Sequence, residues 1–243
     1  MQIRLQLHHY ILFGFFACTL AATGSLSGSP LETSVITLKK GELEVGILPE
    51  VGGRIVQLQF EDGPNLIKSD PALWNESKET RPSPTDSPVW KEYGGHIIWL
   101  VPQSRWWPEQ SVFPEMRERN WPPDPYWIYA PYEIIEQTPD RILLHGPISP
   151  ITGTQLTKSV RLLGGGRVSV EATVTNRSES TQTWGIWMNT RFDSHTPSYM
   201  PLPNKENPPY EFISPDSATG ERALPYREID GFFHFRNDLP IPE

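Results

Sequence analysis

The fold of this chain is decided by the stretch QLTKSVRLLGGGRVSVEATVTN at residues 155–176. Two runs of residues that favour strands flank three glycines at positions 164–166, an arrangement typical of a β-hairpin. Successive side chains of a strand point to opposite faces, so the apolar residues of the second run share one face. They are Val168, Val170, Ala172 and Val174. The stretch therefore predicts an antiparallel hairpin with one face toward a core.

The same period of two recurs on both sides of the hairpin, and residues 97–101 form a continuous apolar run suited to a central strand; both patterns predict further strands. These strands cover residues 43–47, 56–60, 97–101, 134–135, 142–144, 181–191 and 232–235. Only residues 71–75 and 115–120 have the pattern of a single helical turn, and the 26 prolines disfavour longer helices. Many short strands joined by long proline-rich loops predict an all-β fold, a large antiparallel β-sandwich.

The composition limits the classes of partner. Hydrophobic residues make up 37% and charged residues 21% of the 243 residues, which is enough apolar material for a packed core. The net charge is −8, and no basic stripe is present that could neutralise phosphates. A nucleic-acid partner is therefore not expected, whereas a neutral ligand is compatible with this charge.

The N-terminus has the organisation of an export signal. Arg4 precedes a short apolar run, YILFGFFACTL at residues 10–20, and the small residues Ala21 and Ala22 follow it. Residues 1–22 are therefore predicted to be a signal segment, too short to remain as a membrane span. Residues 23–33 contain TGSLSGSP and are predicted to be a flexible linker, and residues 34–243 to be the domain.

Cys18 is the only cysteine, so the predicted domain has no disulfide. Its context, Phe15-Phe16-Ala17-Cys18, resembles a bacterial lipobox, although Phe15 stands where leucine is usual. Two alternatives stay open. In one, an acylated Cys18 tethers an outer-membrane lipoprotein; in the other, cleavage near Ala22 releases a periplasmic protein. Both predict an extracytoplasmic mature protein.

Residues 90–132 are the segment richest in chemistry: WKEYGGHIIWLVPQSRWWPEQSVFPEMRERNWPPDPYWIYAPY. Six of the nine tryptophans lie here, interleaved with arginines and carboxylates. Indole rings beside charged groups suit a surface that stacks on sugar rings and hydrogen-bonds hydroxyls. The alternative is that these tryptophans pack between two sheets, since Trp is highly buried on average.

Three segments together resemble galactose mutarotase-like (aldose epimerase-like) domains, in particular an exported branch of that superfamily. They are KKGELEVGILPEVGGRIVQLQFEDGPNLI at residues 39–67, YGGHIIWLVPQ at 93–103, and SPITGTQLTKSVRLLGGGRVSVEATVTNRSESTQTWGIW at 149–187. The resemblance covers about residues 34–193. It implies a twisted supersandwich whose concave face holds a sugar-type ligand.

The chain departs from the mutarotase pattern in its chemistry. Mutarotases move a proton with a histidine acid and a glutamate base. In mutarotases the histidine lies on a strand whose equivalent here reads TWGIWMNTR, at residues 183–191. No histidine is present in this stretch, and Met188 and Asn189 lie near the position of the mutarotase histidine. The chain ends at Glu243, before the strand that carries their glutamate. The resemblance thus implies a sugar site without the usual acid/base pair, in a sandwich that is C-terminally incomplete.

The residues predicted to contact a sugar are aromatic side chains that stack and polar side chains that hydrogen-bond: Arg54, Arg105, Trp99, Trp106, Trp107, Trp121 and Asn189. For catalysis, His96 is the candidate acid because imidazole titrates near neutral pH, and Glu92 or Asp124 is the candidate base. No spacing among Asp124, Asp193 and His195 matches a known ligand pattern, so no metal and no cofactor are expected.

These observations predict an exported carbohydrate-binding protein of mutarotase-like fold. Two alternatives stay open. One is a sugar epimerase, mutarotase or other carbohydrate-active enzyme that uses His96. The other is a structural envelope protein whose tryptophans only pack.

Overall fold

The structure, a computed structural model, describes residues 2–5, 35–75, 81–193, 196, 198–201, 226–229 and 231–235. Apart from Gln2–Leu5, the predicted signal segment and linker, including Cys18, lie outside these residues, and so does His195. The chain divides into two compact units, Met1–Arg191 and Phe192–Glu243.

The strands described in the first unit form two five-stranded antiparallel sheets. The first sheet has the order β1-β9-β8-β7-β6 and contains β1 (Gln2–Leu5), β6 (Glu133–Thr138), β7 (Arg141–Ile148), β8 (Thr154–Gly164) and β9 (Arg167–Asn176). The second has the order β10-β5-β4-β3-β2 and contains β2 (Ile36–Lys40), β3 (Leu43–Leu48), β4 (Arg54–Phe60), β5 (His96–Val101) and β10 (Gly185–Thr190). The prediction of an all-β antiparallel sandwich is confirmed.

Strands β8 and β9 form the hairpin that the sequence predicted. They pair from Thr154 opposite Asn176 to Leu162 opposite Val168, and all three glycines of the turn have positive φ angles. Alternate residues of β8 are buried, among them Leu156 and Leu162. The apolar residues of β9 lie opposite these buried positions, so the predicted common face is the one that packs inward.

The core lies between the two sheets. Val45 and Val56 of the second sheet and Leu144 and Val160 of the first are fully buried. Burial of one such side chain contributes about 1.5–3 kcal/mol relative to exposure. The two sheets are in close contact at Gly53, in the turn before β4, where an added Cβ would lie 2.9 Å from the Leu144 side chain.

The second sheet is interrupted between β4 and β5. Their register pairing is confined to Ile55 opposite His96. Beyond this pair, the segment that follows β4 folds back along its edge. The side-chain oxygen Oδ1 of Asn65 accepts the N–H groups of Leu58 (2.9 Å) and Ile67 (3.1 Å). A side-chain amide thus satisfies backbone groups that a neighbouring strand would otherwise pair.

A two-glycine turn, Gly94-Gly95, places the start of β5. Their φ angles are +64° and +77°, a region that L side chains rarely adopt. The Gly95 N–H donates to the Lys68 carbonyl (2.7 Å), and the Arg191 N–H donates to the Gly95 carbonyl (3.0 Å). A Cβ on Gly95 would lie 2.3 Å from the Ile55 carbonyl oxygen, so the backbones meet here in direct contact.

In the second unit the described residues include one three-stranded antiparallel sheet. Its order is β11-β13-β12, with β11 (Ser198–Pro201), β12 (Tyr226–Ile229) and β13 (Phe232–Phe235). The sequence predicted only β13, and that prediction is confirmed.

Helical structure in the described residues is short. One four-residue helix, α1 (Pro125–Ile128), accompanies three 3-10 turns, Pro71–Leu73, Gln103–Arg105 and Pro114–Met116. The turn Pro71–Leu73 lies within the single turn predicted at residues 71–75, and the turn Pro114–Met116 overlaps the one predicted at residues 115–120. Of the helices in the described part of the chain, none combines the length and apolar character that crossing a bilayer requires.

We expect Gly95→Ala to destabilise the first unit more than Gly165→Ala does. Both glycines have positive φ, but an added Cβ at Gly165 meets open space, whereas one at Gly95 meets the Ile55 carbonyl. Backbone strain costs each variant about 1–3 kcal/mol, and the clash adds about 1–3 kcal/mol to Gly95→Ala alone. Urea denaturation measures both, and equal losses would contradict the close approach at Gly95.

Candidate functional site

Five indoles form a connected group, which we term the indole platform: Trp90, Trp99, Trp106, Trp121 and Trp187. Trp99 lies at its centre. The centroid of its ring is 5.6 Å from that of Trp187 and 6.1 Å from that of Trp121. The centroids of Trp121 and Trp90 are 4.8 Å apart. Tilted and edge-to-face pairs of this kind contribute about 0.5–1.5 kcal/mol each beyond area burial, so the rings hold one another in place.

Strand pairing and one loop build the platform. Strand β10 pairs with β5 so that Trp187 lies directly opposite Trp99, and both side chains point to the same face of the sheet. Trp106 follows the turn Gln103–Arg105, and its Nε1 donates to the carbonyl of Leu100 (2.7 Å). This bond folds the loop after β5 back over the strand.

Two rings of the platform are exposed, and that of Trp90 is half-buried. Trp121 is 39% exposed and Trp187 is 44% exposed, whereas Trp99 and Trp106 beneath them are buried. The Nε1 of Trp99 has no hydrogen-bond partner among the described residues. The platform therefore presents exposed indole surface on a buried aromatic base, and exposed apolar surface of this kind marks an interaction site when it is contiguous.

A set of polar side chains, which we term the polar rim, borders the platform: Asn189, Arg191 and Glu92. Asn189 and Arg191 follow Trp187 at alternate positions, so they continue the same face along β10 and just past its end. Arg191 Nη1 pairs with Glu92 Oε2 at 2.5 Å, and the Arg191 guanidinium carbon lies 5.7 Å from the centroid of the Trp90 ring. The polar rim thus joins the platform through Trp90.

Arg54 lies beside Tyr129, whose ring centroid is 6.3 Å from that of the platform residue Trp90. It is buried, and its guanidinium donates through Nη1 to the Gly94 carbonyl (2.7 Å) and through Nη2 to the Ile128 carbonyl (3.1 Å). Its charge lies 5.3 Å from the ring centroid of Tyr93 and 6.0 Å from that of Tyr129. Burial lowers the pKa of Arg54 to about 10, so it stays charged at neutral pH. Both terminal nitrogens are used within the protein.

The other predicted sugar contacts separate into two kinds. Trp107 is fully buried against Phe113, and its Nε1 donates to the Pro122 carbonyl (2.9 Å), so no face of its ring is open to a ligand. Arg105 lies over Trp184 at 4.7 Å and donates to the Thr183 carbonyl (2.5 Å). Trp184 precedes β10 and is not one of the platform indoles, so Arg105 makes its contact outside the platform.

His96 lies on the opposite face of the sheet from the platform. Its Nδ1 is 2.8 Å from Oγ1 of Thr190, the residue directly opposite in the register. His96 and Trp99 are three positions apart on one strand, so their side chains point to different faces. The structure therefore does not bring the candidate acid to the aromatic surface.

Asp124 holds a turn together. It caps α1 by accepting the N–H of Tyr126 (2.9 Å), and it accepts hydrogen bonds from the hydroxyls of Ser149 and Thr152. Burial raises the pKa of Asp124 to about 6, while these hydrogen bonds act in the opposite direction. The three candidates for acid–base chemistry thus differ in position: Glu92 at the polar rim, His96 behind the sheet and Asp124 inside this turn.

A buried lysine occupies the core face of β8. Lys158 is buried, and its Nζ donates to the Gly53 carbonyl at 2.8 Å across the sandwich. Burial lowers the pKa of Lys158 to about 7, and the charge of Arg54 acts in the same direction. The alternation of the hairpin places Lys158 on the inner face, a signal that the sequence contained.

Sequence reasoning did not single out Trp187 or Arg191 as site residues. The available signal was their spacing from Asn189, because alternate residues of one strand share a face. The partners of these residues come from distant segments, and no local pattern identifies them. Within the described part of the chain, no group of three His, Cys, Asp or Glu side chains is arranged to hold a metal ion.

The fold and the platform define a class: an all-β sandwich protein with partly exposed indoles beside a charged polar rim. The chain belongs to the family described as "Domain of unknown function (DUF4380)", whose family model matches residues 33–242. No curated protein and no solved structure matches the chain.

We expect Trp107→Ala and Trp121→Ala to differ in their effect on stability. Removal of the fully buried Trp107 leaves a cavity and costs about 3–5 kcal/mol of unfolding free energy. Removal of the half-exposed Trp121 leaves no enclosed cavity and costs less. Urea denaturation of the two variants measures the difference, and a greater loss for Trp121→Ala would contradict the assignment of Trp107 to packing.

We also expect Lys158 to make stability depend on pH. Its pKa is about 7 in the folded protein, against an ordinary value of 10.5 that we assign to the unfolded chain. Between these two values the unfolded chain therefore binds more protons than the folded protein. The free energy of unfolding rises with pH across this window, by at most about 1.4 kcal/mol per pH unit from this group. Below pH 7 both states are protonated and the contribution is constant.

Denaturation at several pH values tests this expectation by comparing wild type with Lys158→Met. The free energy of unfolding of the wild type should rise relative to that of the variant from pH 7 to pH 10, because methionine does not titrate. Parallel curves for the two proteins over this range would show that Lys158 does not carry the effect.

Proposed function

We propose that this protein is an exported carbohydrate-binding protein whose ligand stacks on the indole platform. The observation that carries the proposal is the exposure of Trp121 and Trp187 above a buried base of tryptophans. A tryptophan that only packs tends to bury its ring, whereas a ring that receives a ligand keeps one face open.

The chemistry of the platform suits a sugar. The C–H faces of a sugar ring are apolar and stack on an indole, while its hydroxyls need hydrogen-bond partners at the edge. The polar rim supplies such partners in the amide of Asn189, the guanidinium of Arg191 and the carboxylate of Glu92. Because ring contacts hold the indoles in place, little conformational entropy is lost on binding.

Two features of the sequence support the same proposal. The resemblance to mutarotase-like domains over residues 34–193 implies a sugar site in a β-sandwich. The charged, apolar and small-residue regions of residues 1–22 have the order of an export signal, and export would bring the protein to where extracellular glycans occur. A lipidated Cys18 and free secretion are both compatible with this location.

The alternatives draw on different residues. A purely structural role draws on the buried tryptophans, such as Trp107, and leaves the open faces of Trp121 and Trp187 unused. An acid–base role through His96 gains no support from its position, because its side chain faces away from the platform.

We expect the protein to bind a glycan and Trp121→Ala to weaken that binding. Loss of a central aromatic contact costs about 2 kcal/mol, or about 30-fold in Kd. Isothermal titration with a panel of plant and microbial oligosaccharides, together with tryptophan fluorescence, measures it. Trp184→Ala is the matched control, since it removes a partly exposed indole outside the platform. A panel without binding, with unchanged fluorescence, would reject the proposal.

A further inference from the structure

We infer that the Glu92–Arg191 ion pair determines which glycans the platform accepts, and that it selects neutral oligosaccharides over those that contain uronic acids. The inference rests on the proposed function, because it concerns the same site. It adds a substrate class and two specificity-determining residues to that site.

The ion pair is held in a defined position. Glu92 Oε1 accepts the N–H of Gly94 (3.2 Å), and Glu92 Oε2 accepts from Trp90 Nε1 (3.3 Å) as well as from Arg191. The Trp90 ring contacts the ring of Trp121, the exposed stacking surface. A sugar on Trp121 therefore has the ion pair as its neighbour.

Both members of the pair remain accessible. The Glu92 side chain is 50% exposed and that of Arg191 is 34% exposed. Arg191 uses Nη1 on Glu92, and guanidinium carries five N–H donors in total, while a carboxylate only accepts. Sugar hydroxyls donate and accept, so one hydroxyl pair can bond both members without breaking the pair.

A ligand carboxylate meets the opposite situation. The charge of Arg191 is already balanced by Glu92 at 2.5 Å. A second carboxylate must either displace Glu92 or lie beside it, and like charges at that distance repel. The net charge of −8 on the chain adds to this repulsion at low ionic strength. The rim therefore disfavours an acidic sugar.

The spacing along β10 indicates the length of the ligand. Trp187, Asn189 and Arg191 occupy alternate positions on one face, and a strand rises about 3.3 Å per residue, which separates Trp187 from Arg191 by roughly 13 Å. A single sugar ring does not span this distance together with Trp121. The geometry points to an oligosaccharide that runs along the strand.

Titrations with defined hexasaccharides test the inference. Cellohexaose, xylohexaose and mannohexaose serve as neutral probes, and hexagalacturonate serves as the acidic probe. Wild type should bind at least one neutral probe at least ~10-fold more tightly than the acidic one. Glu92→Gln should weaken neutral binding about 10-fold and strengthen hexagalacturonate binding, because Arg191 loses its partner and can pair with the ligand.

Arg191→Gln should weaken the neutral probes without any gain for hexagalacturonate. The matched controls are Glu136→Gln and Arg141→Gln, which remove the members of an exposed ion pair on β6 and β7 and should leave both Kd values unchanged. Thermal melts establish that each variant is folded. If Arg191→Gln melts early, Glu92→Gln alone decides, since glutamine retains an acceptor for the Gly94 N–H.

The outcomes separate the two proposals. If Trp121→Ala abolishes binding but Glu92→Gln changes neither ligand class, the proposed function stands and the inference falls. Equal or tighter binding of hexagalacturonate by wild type also overturns the inference. If wild type binds neutral glycans of the oligosaccharide panel and hexagalacturonate equally well, only the inference falls; if it binds neither these probes nor any glycan of that panel, both proposals fall together.

Discussion

The first unit must satisfy a buried positive charge, the guanidinium of Arg54, and it does so mainly with backbone carbonyls. Arg54 donates to the carbonyls of Gly94 and Ile128, so one side chain joins β4 to the turn before β5 and to the end of α1. Leaving a buried charge without its partners costs about 3–5 kcal/mol, which makes this arrangement strongly preferred over alternatives. The rings of Tyr93 and Tyr129 lie over the same charge, and Trp90 contacts Tyr129. Arg54 is thus linked to the platform through Tyr129 and Trp90.

The tryptophans of residues 90–132 fall into two groups, those whose rings are buried and those whose rings reach the surface. Trp106 and Trp107 are consecutive, yet both are buried and each bonds a backbone carbonyl of a different segment. Together they fix the loop that carries Trp121 to the surface. The exposed indole needs the buried ones, because a loop rich in proline has few backbone hydrogen bonds of its own to hold it. The buried indoles therefore position the exposed one, and the two kinds of tryptophan depend on each other structurally.

Much of the fold could be predicted from alternation alone. The hairpin of β8 and β9 and the central strand β5 have strong period-two or continuous apolar patterns, and both were found where expected. Strand β2 was not predicted because its sequence, ITLKK, is short and ends in two lysines. Strands β11 and β12 flank proline-rich sequence that carries no clear period.

The candidate site could be predicted only in part. Composition identified the aromatic segment, but it could not decide which rings the loop would cover. His96 and Trp99 belong to one strand, and their side chains face opposite sides of the sheet because they are three positions apart. Arg191 and its partner Glu92 are 99 positions apart along the chain, although the nearby strands β10 and β5 are neighbours in the sheet. Such pairings depend on tertiary structure, and local sequence does not encode them.

The fold-back of Asn65 along β4 has a consequence for local opening. One amide oxygen accepts the N–H groups of both Leu58 and Ile67. A single rotation of the Asn65 side chain therefore releases two backbone protons at once, although they belong to different segments. The exchange of these two amide protons with solvent deuterium is therefore linked through the Asn65 rotamer. In this part of the sheet, protection of the two protons from exchange reflects the lifetime of one side-chain conformation instead of the separation of strands.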